Sequence, residues 1–165
     1  MDIKYAKILA VDDEKINQQI LAAMLKKCGY EHLIVSSGQE ALELVDSYEP
    51  DLLLLDVMMP EMDGFQVVQA LKKNTRTRPI PIILVTALTD RQSRIKGLSA
   101  GAEDCITKPI DGQELSIRIR NLLRLKKLND FLRQHNRTLA QYDTLTGLPN
   151  RSLLRDHLVH ELVNS

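Results

Sequence analysis

Five short apolar runs, each separated from the next by an amphipathic stretch, constrain the fold of this 165-residue chain more than any other feature. The runs occupy residues 7–11, 33–36, 52–57, 80–85 and 104–107. Four of them are apolar on both faces, or nearly so. A strand wet on one side alternates apolar with polar residues, whereas a strand covered on both sides reads as a continuous apolar run. The fifth run is short and mixed, and its place in the alternation identifies it as a strand. Between the runs, apolar residues recur at helical spacing. Ile16, Ile20, Ala23, Met24 and Lys27 mark a first helix closed by Gly29, and Ala41, Leu42, Leu44 and Val45 a second that stops before Pro50. Phe65, Val67, Val68 and Leu71 mark a third. Ile95, Leu98 and Ala102 mark a fourth, with Gly101 near its end. Five such βα units predict a doubly wound, five-stranded parallel sheet.

The fifth helix is different in kind. It starts near Asp111 or Gly112 and meets no Gly or Pro until Gly147. Its expected span, residues 113–142, is far beyond the globular mean of about 11–12 residues. Leu125, Leu128, Leu132, His135, Leu139 and Tyr142 step by three and four, as the core positions of a coiled coil do. This short seam, with a polar His135 in it, predicts a homodimer of modest affinity through parallel fifth helices. The same stretch holds seven Lys and Arg residues against Glu114 and Asp130, while the whole chain sums to zero. A zero net charge gives no general attraction to nucleic acid or to an anionic membrane. The basic stretch lacks a helix-turn-helix and interleaved aromatics, so it reads as the solvated face of the coiled coil. No apolar run approaches the ~20 residues that span a bilayer. No secretory signal precedes the first run, so a cytoplasmic setting with Cys28 and Cys105 as buried, reduced thiols is expected.

Chemistry is expected where the strands end, because ligands of open α/β sheets sit outside the carboxyl edge. Asp12 and Asp13 follow the first strand and Asp56 ends the third. Three converging carboxylates repel unless a cation neutralises them, and an all-oxygen donor set that keeps several waters suits Mg²⁺. Thr86 ends the fourth strand and Lys108 the fifth, supplying a hydroxyl and a fixed cation. Such a set can bind a transferring phosphoryl group and neutralise its oxygens. Taken singly, Asp-Asp after a strand is a common helix start and Lys-Pro a common loop; together they fall at the carboxyl ends of successive strands.

These residues resemble the response-regulator receiver family of two-component signalling. The resemblance is carried by Ala10-Val11-Asp12-Asp13-Glu14, by Leu55-Asp56-Val57-Met58-Met59-Pro60-Glu61-Met62-Asp63-Gly64, by Thr86-Ala87 and by Lys108-Pro109. It covers about residues 5–123, within an expected receiver domain of residues 1–123. It implies a flavodoxin-like sheet of order 2-1-3-4-5 and a sensor histidine kinase or phosphotransfer protein as partner. By position, Asp56 is the implied phosphoacceptor. Asp13 is the implied direct Mg²⁺ ligand, Asp12 a ligand largely through water, and Asp56 and the Met58 carbonyl complete the set. Thr86 and Lys108 are implied to hold phosphoryl oxygens, and Pro60 and Gly64 to shape the loop after Asp56. One departure stands out: Cys105 occupies the fifth-strand position where the family commonly has an aromatic switch residue. Met58 and Leu88 would flank the path of a hydrolytic water; both are apolar, which predicts a long-lived phosphorylated form.

A second resemblance begins at residue 143. Asp143-x-Leu145-Thr146-Gly147-Leu148-Pro149-Asn150-Arg151 resembles the opening of a GGDEF-type diguanylate cyclase domain. Residues 143–165 would be its truncated start, and without the Gly-Gly-(Asp/Glu)-Glu-Phe loop this chain is not expected to make cyclic di-GMP. Two other classes would need residues that differ from those present. A DNA-binding response regulator would need a winged helix after residue 123. An Mg²⁺-dependent aspartyl phosphohydrolase would carry a second Asp two residues after the nucleophile, where Met58 stands. His157 and His160, three apart with no third ligand, read as a surface helix. Arg76 and Arg78, with Lys72 and Lys73, read as a solvated loop.

Overall fold

The structure is a computed structural model and describes residues 3–87, 91–141, 148 and 158. It divides into two compact units, Met1–Lys126 and Lys127–Ser165. After a short 3-10 turn at Ile3–Tyr5, the strands are β1 (Lys7–Val11), β2 (Glu31–Val35), β3 (Leu52–Asp56), β4 (Ile82–Thr86) and β5 (Asp104–Thr107). The helices are α1 (Lys15–Cys28), α2 (Gly38–Tyr48), α3 (Gly64–Lys73), α4 (Arg91–Ala100) and α5 (Gly112–Gln141). All strand pairs are parallel and the order is β2-β1-β3-β4-β5, the doubly wound, flavodoxin-like arrangement the alternation predicts.

The continuous apolar runs are explained by two cores rather than one. Successive side chains of a strand point to opposite faces. Leu9, Val11, Leu53, Leu55, Ile82 and Leu84 therefore join one core, with α2 and α3. Ile8, Ala10, Leu52, Leu54, Ile83 and Ile106 join the other, with α1 and α5. The central strands β3 and β4 are accordingly apolar up to Asp56 and Thr86 at their ends, and buried throughout.

Helix faces depart from expectation at two places. On α1, Ile16, Ile20, Ala23 and Lys27 are exposed, and Leu21 and Leu25 carry the burial. The helix is apolar on more than one side, so its periodicity admits two faces, and the sheet takes the one containing both leucines. On α4, Ile95 and Leu98 are exposed, and Gly97 is the buried residue. A side chain at Gly97 would bring a Cβ within 2.5 Å of Leu84 Cδ1, so the glycine lets the helix approach the sheet closely. Strand edges also move. β2 begins at Glu31, in register with Lys7, and β4 begins only after Pro81. Cys28 is half-buried rather than buried, whereas Cys105 lies in the core, where burial pushes its thiol up.

The segment before β4 is solvated at Lys73, Arg76 and Arg78, but Lys72 is half-buried and Thr77 turns into the core. Thr77 is buried and its hydroxyl donates to Leu71 O at 2.7 Å. Lys72 Nζ donates to Arg78 O at 3.0 Å, Ile80 O at 2.8 Å and Glu103 Oε1 at 2.7 Å. Glu103 in turn accepts the Ile82 N–H at 2.6 Å. One ammonium thus ties α3, the loop and both β4 and β5 together at the amino edge of the sheet. On the α5 side, Asp111 accepts the Glu114 N–H at 2.8 Å and starts the helix. Arg118 grips both oxygens of Asp104, at 2.8 and 2.7 Å.

Helix α5 runs for 30 residues, as long as its lack of breakers predicts. Within the second unit, its described side chains, residues 127–137, are exposed, including Leu128, Phe131 and Leu132. Phe131 and His135 stack with ring centroids 6.2 Å apart. The remaining seam positions, Leu139 and Tyr142, and the pair His157 and His160, lie outside the residues whose side chains are described.

Tyr48 offers a test of this packing. Its hydroxyl is buried without a hydrogen-bond partner among the described residues, and burial, with Glu31 and Asp51 adding to it, pushes its pKa up to about 12. An unsatisfied buried hydroxyl costs about 1–3 kcal/mol. Tyr48→Phe removes the hydroxyl and keeps the ring, so urea denaturation should show a variant at least as stable as wild type, by up to about 1 kcal/mol. A clear loss of stability would mean that the hydroxyl has a partner.

Candidate functional site

The carboxyl edge of the sheet is built by strand ends that stop in step. Asp12 follows β1 and its N–H donates to Val35 O at 3.2 Å, the last rung of the β1–β2 ladder. Its Oδ1 accepts the Glu14 N–H at 2.9 Å, a side-chain turn that launches α1. Asp13 is exposed beside it. Asp56 is the last residue of β3, and the following Val57 N–H donates to Val85 O at 3.0 Å. Thr86 closes β4, is buried, and accepts the Lys108 N–H on its carbonyl at 2.8 Å. That bond pins the backbone of Lys108 to the adjacent strand.

Gly64 governs how closely α3 starts against Asp56. Its N–H donates to Val57 O at 2.9 Å. A Cβ there would lie 2.5 Å from Asp56 O and 2.9 Å from Val57 Cα, both backbone atoms with no freedom to retreat. Asp63 caps the helix, accepting the Gln66 N–H while Gln66 accepts the Asp63 N–H, each at 2.9 Å. Gly64 belongs to the motif after Asp56, and its missing side chain is what admits the helix.

The carboxylates converge. Oxygens of Asp12, Asp13 and Asp56 lie within 4.8 Å of one another. Lys108 Nζ sits 3.3 Å from Asp56 Oδ2 and 3.5 Å from Asp12 Oδ2. Asp12 and Asp56 are almost fully buried. Burial holds the Asp56 carboxyl above its usual range; Lys108 opposes this, Asp12 adds to it, and a hydrogen bond from the Met58 backbone opposes it again. Burial alone would lower Lys108, but the charges of Asp56 and Asp12 outweigh it and raise the ammonium's pKa. Three carboxylates against one ammonium leave the edge under-neutralised. A hard divalent cation fits this donor set, which is oxygen only and open to solvent at Asp13. Asp12, Asp13 and Asp56 are the side chains placed to hold it.

Other expected positions fall out unevenly. The Met58 side chain points to solvent. Cys105 is buried on β5 and offers no aromatic ring. Leu88 lies outside the described residues, as does the segment from residue 143 on, apart from Leu148 and Leu158. Two residues that the motifs did not include also reach the site. Asn17 Nδ2 lies 3.4 Å from Asp12 Oδ1, and Gln18 Nε2 donates to Asp12 O at 2.6 Å. Their only signal in sequence is a pair of amides one turn into the helix after Asp12-Asp13.

The family model of the response regulator receiver domain matches residues 8–120. The chain belongs to the response regulator receiver family. That membership places it in phosphorylation-dependent signalling, and a receiver domain by itself is not a catalyst of effector chemistry. It is 44% identical over 146 residues to the response regulator PleD of Caulobacter vibrioides, matching 88% of this chain and 32% of PleD. It is 34% identical to the DNA-binding dual master transcriptional regulator RpaA of Synechocystis, matching 96% of this chain and 68% of RpaA. The chain therefore spans about a third of PleD's length. Among solved structures, the receiver domain of the sensor histidine kinase PA1611 from Pseudomonas aeruginosa matches with a TM-score of 0.68 at 29% identity. The match covers 72% of this chain and 98% of that one, which holds a magnesium ion in its active-site cleft. Among the described residues, no helix is long and apolar enough to cross a membrane.

The raised Asp56 carboxyl sets the direction of a stability experiment. Ionising a group whose folded-state pKa is raised costs folding free energy at any pH above that value, and the cost is relieved as pH falls through it. Without divalent cation at pH 7, Asp56→Asn should therefore melt higher than wild type. About 1 kcal/mol would appear as ~4 °C in a domain of this size. The gap should shrink on acidification and on adding Mg²⁺. A variant that melts no higher than wild type in EDTA at pH 7 contradicts this account of the site.

Proposed function

We propose that Asp56 accepts a phosphoryl group from a phosphohistidine on a sensor histidine kinase or phosphotransfer protein. The observation that carries this reading is the Lys108 ammonium held between two buried carboxylates, 3.3 Å from Asp56 and 3.5 Å from Asp12, with Asp13 beside them. An Asp56 oxygen attacks phosphorus as the phosphorus–nitrogen bond breaks; the imidazole departs with its electron pair, and an acyl phosphate remains. Lys108 turns from the carboxylate to a phosphoryl oxygen, and the Thr86 hydroxyl donates to another. Asp12, Asp13, Asp56 and the Met58 carbonyl are the groups that would hold Mg²⁺, which supplies positive charge to the phosphoryl oxygens as they transfer.

The output of this reading runs through α5. The phosphoryl group adds about −1.5 to −2 charge at the sheet edge and biases the receiver between two conformations. The exposed Leu128 and Leu132, continuing from Leu125, are the face on which a second copy's α5 would pair. The attached effector is proposed to be a diguanylate cyclase, on the resemblance of residues 143–151 to the start of a GGDEF-type domain. The proposed domain bounds are residues 1–123 for the receiver, 113–142 for the linker and 143–165 for that start, in a cytoplasmic protein. The similarity to RpaA supports a second reading, a DNA-binding output. The Leu145-Thr146-Gly147-Leu148-Pro149-Asn150 segment favours the first.

Two measurements test the proposal. Mass spectrometry after acetyl phosphate with Mg²⁺ should find one phosphoryl group on wild type, none on Asp56→Asn and none in EDTA. Full labelling of Asp56→Asn would put the acceptor elsewhere. Light scattering should show a dimer, strengthened by beryllofluoride, that Leu128→Asp with Leu132→Asp abolishes; a wild type that stays monomeric at high concentration in both states refutes pairing through α5.

A further inference from the structure

Asp13 poses a problem that the motif alone does not solve. Its side chain is exposed, yet its carboxylate lies with those of two buried residues inside 4.8 Å. An exposed side chain on a free strand end has no reason to stay there. The peptide unit joining it to Asp12 sets the direction of its Cα–Cβ bond.

That peptide is gripped from the side. β2 ends at Val35, whose carbonyl takes the Asp12 N–H at 3.2 Å. No further rung of the β1–β2 ladder then accounts for the Asp12 carbonyl. Gln18 takes it: Nε2 donates to Asp12 O at 2.6 Å. The same nitrogen donates its second proton to Ser36 Oγ at 3.0 Å, on the segment just after β2. A primary amide nitrogen has two hydrogens, and both are used. Gln18 is itself rooted in the first turn of α1, where its N–H donates to Glu14 O at 3.0 Å. One side chain therefore spans the ends of β1 and β2 from a helix, and fixes the plane of the Asp12–Asp13 peptide.

We infer that Gln18 is a positioning residue for the metal site. Through the Asp12 carbonyl it aims the Asp13 carboxylate at the space between Asp12 and Asp56, and so sets the affinity for a divalent cation. Gln18 touches neither the cation nor the phosphoryl group. The division of labour on Asp12 agrees with this. Its Oδ1 is occupied by the Glu14 N–H at 2.9 Å and approached by Asn17 at 3.4 Å, its carbonyl is held by Gln18, and Oδ2 alone faces inward to Lys108. Partners outside the ligand shell orient metal ligands and typically change affinity about 10–100-fold when lost. The inference rests on the metal-binding reading given above.

Calorimetric titration with Mg²⁺ alone, without any phosphodonor, reads it directly. Gln18→Met keeps the length of the side chain and removes both donated protons; it should weaken Mg²⁺ binding by about tenfold. At saturating Mg²⁺ its phosphorylation by acetyl phosphate should return to about the wild-type rate, because the reacting groups are untouched. Ser36→Ala removes one anchor and leaves Gln18 in place, and should weaken Mg²⁺ binding by a smaller factor, about threefold. It provides the same test if Gln18→Met does not fold. A purely structural role would lower the melting temperature while leaving Mg²⁺ affinity within about twofold of wild type, and that result overturns the inference. So does a rate that excess Mg²⁺ fails to restore. If wild type itself binds no Mg²⁺, the metal reading fails and takes this inference with it.

Discussion

Negative charge crowded at the carboxyl edge of the sheet is the constraint on which the rest of this structure turns. Two almost fully buried aspartates and one exposed aspartate meet a single lysine. Charges removed from water are stable only when paired and hydrogen-bonded. Every local device nearby serves that requirement. The Lys108 backbone is tied to Thr86, Asp12 Oδ1 is shared between Glu14 and Asn17 while Oδ2 faces Lys108, and Gly64 lets α3 begin directly under Asp56. The opposite edge holds its own ammonium, Lys72, but there the neighbours are carbonyls and one carboxylate, and the charge is satisfied. One edge of the sheet is electrostatically closed and the other carries more carboxylate than ammonium.

The sequence was most legible where one physical cause acts alone. Doubly covered strands must be apolar throughout, so β1, β3 and β4 announce themselves, and α3 shows its buried face because Phe65, Val67, Val68 and Leu71 are opposed by polar residues. It was least legible where two solutions fit one pattern. On α1 the apolar residues surround enough of the helix that Ile16 and Ile20 compete with Leu21 and Leu25, and only the sheet decides. On α4 the residue that makes contact is Gly97, which has no side chain to count. Lys72 and Thr77 look like loop chemistry in sequence because their partners are backbone carbonyls, and these leave no mark in composition. At the site, residues with their own chemistry could be read directly. Asn17 and Gln18 could not, since an amide's role depends on which carbonyl the fold brings to it.

Helix α5 belongs to two environments. Near its start it contributes Leu115, Ile119 and Leu123 to the core beneath β1, β3 and β5, and Arg118 fastens it to Asp104. From Lys127 to Arg137 its side chains are exposed, although Leu128, Phe131 and Leu132 are apolar. Isolated helices of this kind owe little to propensity and most of their stability to packing an apolar face. An exposed apolar stripe of this kind gains stability only where something packs against it.

The two thiols differ in a way that has practical value. Cys105 is sealed in the core with its thiol pushed up, and so is protected twice from electrophiles, by burial and by a scarcity of thiolate. Cys28 is only half-buried, at the last turn of α1. A maleimide dye should therefore find one address on the receiver without any engineered cysteine. That address is the far end of the helix whose first turn grips Asp12, so the native chain carries an optical reporter on the element that frames its own acidic edge.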